Sequence, residues 1–226
     1  MQVIILADGD VGSRAVLDAA WPGWLDADAR VVAADGGARH AGPLGLAIDR
    51  WVGDGDSLGE SAIEALAAAG VPIERARPDK DASDTELGVH AALALGATRL
   101  TILGALGGPR LDHALANLGL LAMPELSGLD VQLVAIDARI RLLVAPDAAG
   151  GSVSLDLAGR VGDIVSLLPV GADATGVTTG GLLYPLRDEP LQVGRTRGLS
   201  NVRDAAQATV LLRAGRLLVV ETPATL

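Results

Sequence analysis

Apolar residues fall in short blocks along the first half of the chain. Gln2–Ala7 is one block and ends at Asp8-Gly9-Asp10. Arg30–Ala34 ends at Asp35-Gly36-Gly37, and Arg50–Val52 ends at Gly53-Asp54-Gly55-Asp56-Ser57. Val71–Ala76 and Leu100–Leu103 are further blocks of this kind. Short apolar runs bounded by Gly and Asp predict buried strands. Between them the spacing predicts helices over Ser13–Ala20, Glu60–Ala69, from Ser83 to about Leu95, and over His113–Leu121. Ser57-x-x-Glu60 and Ser83-x-x-Glu86 have the form of capping boxes, and Gly70 and Gly96 stand where helices stop. Strands alternating with helices predict βαβ units and a mostly parallel sheet.

The pattern changes near Val131. Val131–Ile136, Arg139–Val144, Ser152–Leu157, Ile164–Pro169, Gly181–Tyr184, Ala208–Arg213 and Arg216–Glu221 read as short strands parted by Gly, Pro and Asp turns. No helix pattern interrupts them, so this half is expected to be an all-β sandwich or barrel. The fold class expected is therefore α/β followed by all-β, with one domain over 1–130 and a second over 131–226.

Composition narrows the function. The chain has 226 residues, 50% of them hydrophobic and 20% charged, which is globular composition with room for a core. The expected compartment is the cytoplasm. There is no cysteine, so disulfides and thiolate metal sites are excluded. No long uncharged apolar run predicts a membrane span, and Met1–Leu6 lacks the basic flank of a signal peptide. Net charge is −10 and no basic patch is present, so nucleic acid is not an expected partner. The acidity reflects either a solvated surface or a cation site.

The placing of the aspartates bears on that choice. Asp35, Asp54 and Asp56 each follow an apolar strand, where open parallel sheets bind ligands. Asp79, Asp81 and Asp84 lie in one stretch, and Asp112 follows the glycine-rich Gly104–Arg110. Carboxylates gathered on one rim repel unless a cation lies among them, and oxygen-only ligands favour Mg²⁺. Gly107-Gly108-Pro109-Arg110 lies between a strand and a helix, a natural place for backbone N–H groups and a guanidinium to meet phosphate. Lys80 is the only lysine of the chain, and a phosphate contact or an exposed side chain would look alike here. His113 either holds an anion or is a partly buried polar residue. Tyr184, the only aromatic of the β half, either fills space or offers a face to a flat cationic ligand.

Taken together, these motifs resemble the thiamine pyrophosphokinase family. Ala34-Asp35-Gly36-Gly37-Ala38 looks like its Ala-Asp-Gly-Gly-Ala motif, and Gly53-Asp54-Gly55-Asp56-Ser57 like its Gly-Asp-x-Asp-Ser. Asp79–Asp84 followed by Glu86 resembles Asp-Lys-Asp-x-Thr-Asp-x-Glu, with Ser83 in place of Thr. Gly104–Asn117 resembles Gly-Gly-Arg-x-Asp-His-x-x-x-Asn, with Pro109 inserted. Gly181–Leu186 and Ser200-Asn201 resemble the thiamine-binding β domain, with Tyr184 where many members carry Trp.

The resemblance implies a Rossmann-like parallel domain followed by a β-sandwich. It also implies transfer of a diphosphate from ATP to the hydroxyl of thiamine, with Mg²⁺ as cofactor. Asp54, Asp56, Asp81 and Asp35 are then the expected metal ligands, with Asp84 and Asp112 close by. Lys80 and Arg110 would contact phosphates, and Asp81 or Asp84 would take the alcohol proton. Gly36, Gly37, Gly107, Gly108, Arg110, Asp112 and His113 would surround the nucleotide. Thr179, Tyr184, Ser200 and Asn201 would line the thiamine site. A homodimer is implied too, with thiamine between the α/β domain of one subunit and the β domain of the other. Three other readings are a pyrophosphokinase acting on another alcohol, such as a hydroxymethylpterin, a haloacid-dehalogenase-like phosphatase, and a non-catalytic nucleotide or thiamine sensor. The first would lack the β-domain motifs. The second is suggested by Asp8-Gly9-Asp10 after the first strand, but fails at Gly12, where Thr or Val is expected, and in the order of its Lys and acidic motifs.

Overall fold

The computed structural model describes residues 1–146 and 151–224. The chain divides into two compact units, Met1–Ile136 and Asp137–Leu226.

The N-terminal unit carries strands β1 (Gln2–Leu6), β2 (Arg30–Ala34), β3 (Arg50–Gly53), β4 (Ile73–Arg75), β5 (Arg99–Leu103) and β6 (Asp130–Val134). They pair in the order β6-β5-β1-β2-β3-β4, all parallel. Helices α1 (Arg14–Ala20), α2 (Ala41–Leu44), α3 (Glu60–Ala68), α4 (Asp84–Ala94) and α5 (Leu111–Leu120) occupy the connections. Every residue of β1 is buried, because helices cover both faces of such a sheet, and this accounts for the unbroken apolar run Val3–Leu6. Gln2, buried at the start of β1, is satisfied by donating to the Trp24 carbonyl at 2.7 Å and accepting from Asp26 N–H at 2.7 Å. Helix α4 lies close on the sheet: a β-carbon at Gly88 would stand 2.9 Å from Ile5 Cγ2.

Two expectations need correction here. The strand near Val131 is not the first of the β half. It is β6, paired in parallel with β5 from Arg99↔Asp130 to Leu103↔Val134, so the division falls at Ile136 and not at 130. Helix α5 makes the crossover that a parallel neighbour requires. Ser57 also caps nothing. Helix α3 starts at Glu60 with Gly59 as its N-cap, while Ser57 N–H and Oγ serve aspartates. Ser83 does cap α4, accepting from Glu86 N–H at 3.2 Å.

The C-terminal unit holds two antiparallel sheets. One runs β12 (Asn201–Val202), β9 (Ile164–Pro169), β14 (Arg216–Thr222), β7 (Arg139–Val144). The other runs β11 (Glu189–Leu191), β10 (Ala174–Gly180), β13 (Gln207–Leu212), β8 (Val153–Ala158). Burial alternates along β13 and β14, as in strands with one face in a core. Leu157, Val165, Leu167, Val177, Val210 and Val219 fill that core. The segment Gly181–Tyr184, expected as a strand, is a loop with one isolated bridge, Leu182 to Arg203.

Candidate active site

Asp35 begins a short 3₁₀ turn directly after β2 and is 2% exposed. Its φ of 40° is uncommon for a residue with a side chain and has to be held in place. Trp51 does this, its buried Nε1 donating to the Asp35 carbonyl at 3.1 Å. The carboxylate accepts from Ser57 N–H at 3.1 Å and Leu58 N–H at 3.2 Å. Gly53 is required at the end of β3, because a β-carbon there would lie 2.8 Å from Asp35 Cβ. Asp54 follows it, and Asp84 opens α4. Oxygens of Asp35, Asp54 and Asp84 all lie within 4.8 Å of one another, the only group of metal-ligating type among the described residues. Lys80 closes it: Nζ stands 2.6 Å from Asp54 Oδ2 and 3.0 Å from Asp84 Oδ1.

The electrostatics follow from this geometry. Burial raises the Asp35 pKa against the two N–H donors, and Asp56 and Asp84 push in the same direction as burial. The Lys80 hydrogen bond, with the Asp56 N–H, holds Asp54 below its ordinary range. Burial pulls Lys80 down, but its two carboxylate partners outweigh it and leave the ammonium more basic than usual. A cationic group between clustered carboxylates is what a divalent cation would also supply. Three oxygen donors with no sulfur or imidazole suit Mg²⁺.

The remaining predicted residues are less uniform. Asp56 is exposed beside Asp54, its N–H donating to Asp54 Oδ1 at 3.2 Å. Asp81 is exposed and outside the group, so of the two loop candidates Asp84 is the one drawn in. Gly36 and Gly37 are buried and permit close packing. A β-carbon at Gly36 would strike the Asp8 carboxylate, and one at Gly37 the Leu6 carbonyl. Gly107 and Gly108 are exposed with φ of 83° and 80°, in a loop that meets the end of β1. There Gly9 N–H donates to the Gly104 carbonyl at 2.9 Å, and Gly108 N–H to Asp10 at 3.2 Å. This is the β1/β5 switch point, where an open sheet offers a crevice. Buried Asn117 steadies the loop, donating to the Ala105 carbonyl at 2.9 Å. Arg110 and Asp112 pair with each other at 2.6 Å on the surface, and His113 is exposed beside them. The Arg110 hydrogen bond holds the Asp112 carboxyl well below its usual range.

The sequence marked Asp8 and Asp10 only as a phosphatase-like motif after the first strand, and it did not single out Arg39. Arg39 donates to Asp8 at 2.8 Å and to the Ser57 carbonyl, tying the ends of β1, β2 and β3 together. The signal for Asp8 was available, since it follows β1 as Asp35 follows β2.

In the C-terminal unit a cleft of about 370 Å³ is lined by Leu167, Tyr184, Pro185, Leu186, Arg197, Gly198, Leu199 and Asn201. Asn201 brackets Tyr184, accepting its N–H at 3.0 Å and donating to its carbonyl at 2.7 Å. Ser200 has φ 57°, and its N–H donates to Ser166 Oγ at 3.0 Å. Thr179 is buried and does not line the cleft. Its hydroxyl accepts from Leu186 N–H at 2.9 Å and so shapes the loop that does.

Known proteins share both units. Residues 23–133 match the thiamin pyrophosphokinase catalytic domain, and residues 152–217 match the thiamin pyrophosphokinase vitamin B1 binding domain. A thiamine pyrophosphokinase of Bacillus subtilis (strain 168) is 26% identical over 170 residues, spanning 75% of this chain and 76% of the relative. The crystal structure of thiamine pyrophosphokinase from Bacillus subtilis superposes with a TM-score of 0.82 at 22% identity, covering 99% of each chain. That of thiamin pyrophosphokinase from Candida albicans gives 0.77 at 16% identity, covering 98% of this chain and 88% of that one. The structural likenesses establish the fold. The two matched domains, in order and together spanning well over half the sequence, establish that the chain belongs to the thiamin pyrophosphokinase family.

Proposed function

We propose that this chain catalyses diphosphate transfer from ATP to the primary hydroxyl of thiamine, giving thiamine diphosphate and AMP. The observation that supports it most is the gathering of Asp35, Asp54 and Asp84 around Lys80 at the strand ends. Phosphoryl-type transfer asks mainly for positioning and charge neutralisation. Asp35, Asp54 and Asp84 would hold Mg²⁺, with Asp56 on the rim beside them. When bound, Mg²⁺ would neutralise negative charge on the phosphates. Lys80, now paired with Asp54 and Asp84, would turn its ammonium to a phosphate oxygen. Arg110 is in an exposed, salt-screened pair with Asp112, so re-aiming its guanidinium at phosphate costs little. The hydroxyl oxygen attacks the β-phosphorus, and the bond to the bridging oxygen of the departing AMP breaks. With Asp84 drawn into the metal group, Asp81 is the exposed loop carboxylate that accepts the hydroxyl proton.

The cleft beside Tyr184 is the thiamine site in this reading, the ring meeting the aromatic face and Asn201 fixing that face. A homodimer working in the cytoplasm belongs to the same reading and follows from the family resemblance. The test is nucleotide analysis of the purified protein with ATP, Mg²⁺ and thiamine. AMP and thiamine diphosphate should form in equal amounts, only with thiamine and only with a divalent cation. Release of ADP, or of AMP without thiamine, would sink the assignment.

A further inference from the structure

The C-terminal unit buries an ion network that this chemistry does not use. Glu221 on β14 is 1% exposed. It accepts two hydrogen bonds from Arg139, both at 2.8 Å, one from Arg141 at 2.6 Å and one from Arg203 at 2.7 Å. Arg139 and Arg141 both lie on β7, the strand paired with β14, and they alone satisfy both carboxylate oxygens. Arg203 is a third cation with a fully buried side chain, which is a costly addition unless its position matters.

Its position is distinctive. Arg203 directly follows β12, and β9 lies between β12 and β14 in the sheet. The Arg203–Glu221 contact therefore ties residues on either side of β9. The same guanidinium donates to the Leu157 carbonyl on β8 at 2.7 Å. Gly159 leaves it room, since a β-carbon there would lie 2.7 Å from Arg203 Nε. The Arg203 backbone is also fixed, its N–H donating to the Asp163 carbonyl at 2.8 Å. Around it, Leu183 N–H donates to the Val202 carbonyl and Asp204 N–H to the Gly181 carbonyl, both at 2.9 Å. Two residues upstream is Asn201, whose amide holds both backbone polar groups of Tyr184.

We propose that Arg203 is a positioning residue for the substrate cleft. It locks β12 to Glu221 and so fixes the Asn201 amide that holds Tyr184 at the cleft wall. The proposal rests on reading that cleft as the thiamine site.

Arg141 supplies the control, because it shares Glu221 but does not lie on the β12 segment. Tyr184 is the only tyrosine, so fluorotyrosine labelling gives a single fluorine NMR resonance from the cleft wall. R203M should broaden or shift that resonance. It should also raise the KM for thiamine at least about fivefold while kcat and the KM for ATP stay within about twofold. R141M should lower the melting temperature but leave resonance and KM unchanged. A wild-type resonance and normal thiamine KM in R203M would overturn the proposal, as would identical effects in R203M and R141M. If R203M does not fold, R203K is measured with the same readouts. Lysine keeps the charge but not the second contact, so a smaller change in the same direction is expected. Unfolding of both Arg203 variants beside a folded R141M would assign Arg203 to the fold alone. If the wild type fails to turn over thiamine, the functional reading falls, while the resonance still reports whether Arg203 holds Tyr184.

Discussion

The Lys80 ammonium lies 2.6 Å from Asp54 Oδ2, inside a group of three carboxylates. A divalent cation bound there would compete with the lysine for the same oxygens. Asp54→Asn should lower turnover at least about a hundredfold, the scale on which one preorganised electrostatic group matters. Lys80→Ala should separate two quantities. Turnover should fall at least about tenfold through the lost phosphate contact, while Mn²⁺ binding without nucleotide, followed by calorimetry, should be as tight as in wild type or tighter. Weaker Mn²⁺ binding in Lys80→Ala would mean that the ammonium organises the carboxylates instead of standing in for a cation.

Gly37 tests the packing that carries Asp35. A β-carbon there would collide with the Leu6 carbonyl, and neither backbone has a flexible end to move. Overpacking of this kind costs about 1–3 kcal/mol, sometimes more. For a chain of this size that corresponds to a melting temperature about 2–12 °C lower. Nucleotide contact alone would predict the opposite split, weaker ATP binding at unchanged melting temperature.

Glu221 should make the C-terminal unit sensitive to acid. Burial pushes its pKa up, but Arg139 and Arg141 outweigh burial and hold it below its ordinary value of 4.5. A depressed carboxyl contributes stability that is present above the unfolded-state value and lost as pH falls through the folded-state value. The window is thus below about pH 4.5. The groups facing Glu221 are guanidiniums of Arg139, Arg141 and Arg203, which stay charged there, and Asp163 acts on Arg203 in wild type and variant alike. Glu221→Gln should cost about 3–5 kcal/mol at neutral pH by leaving buried cations without a counter-charge. Urea unfolding should show that gap shrinking in the acid window. A gap of constant size would place the cost in shape, not charge.

Much of the fold was legible because strand burial writes itself into apolar runs. Val3–Leu6 and Val31–Ala34 read as buried strands, and Ala208–Arg213 read as a strand that the structure places at Gln207–Leu212 with one face buried. The division of the chain was not, since Val131–Val134 has the same apolar character whichever neighbour it pairs with. The strand-end rule found Asp35 and Asp54, and the Ser83 cap placed Asp84 at the start of a helix. It could not tell Asp84 from Asp81, because three residues of irregular loop decide which one turns inward. Ser57 looked like a cap because its role depends on Asp35, which is distant in sequence. Arg203 and Glu221 were invisible for a related reason. A charged residue in or beside a strand reads as solvent-facing until its buried partners are known.

Tyr184 is 64% exposed, yet its backbone is held on both sides by Asn201. The next turn of the loop is tied by Leu186 N–H to Thr179. A fixed backbone beneath an exposed ring presents an aromatic face without using it for packing. Thiamine offers a flat ring and a positive charge, so stacking with cation–π attraction should supply about 1–2 kcal/mol. That range equals roughly five- to thirtyfold in affinity. Tyr184→Ala should accordingly raise the KM for thiamine about tenfold, with the KM for ATP unchanged. Its melting temperature should move by no more than about 2 °C, because exposed side chains contribute little to stability. Tyr184→Trp should bind thiamine as well as wild type or better, since indole gives the larger face. Measuring KM and melting temperature on both variants separates stacking from packing. A destabilised Tyr184→Ala protein with a normal thiamine KM would assign the ring to packing and end the stacking proposal.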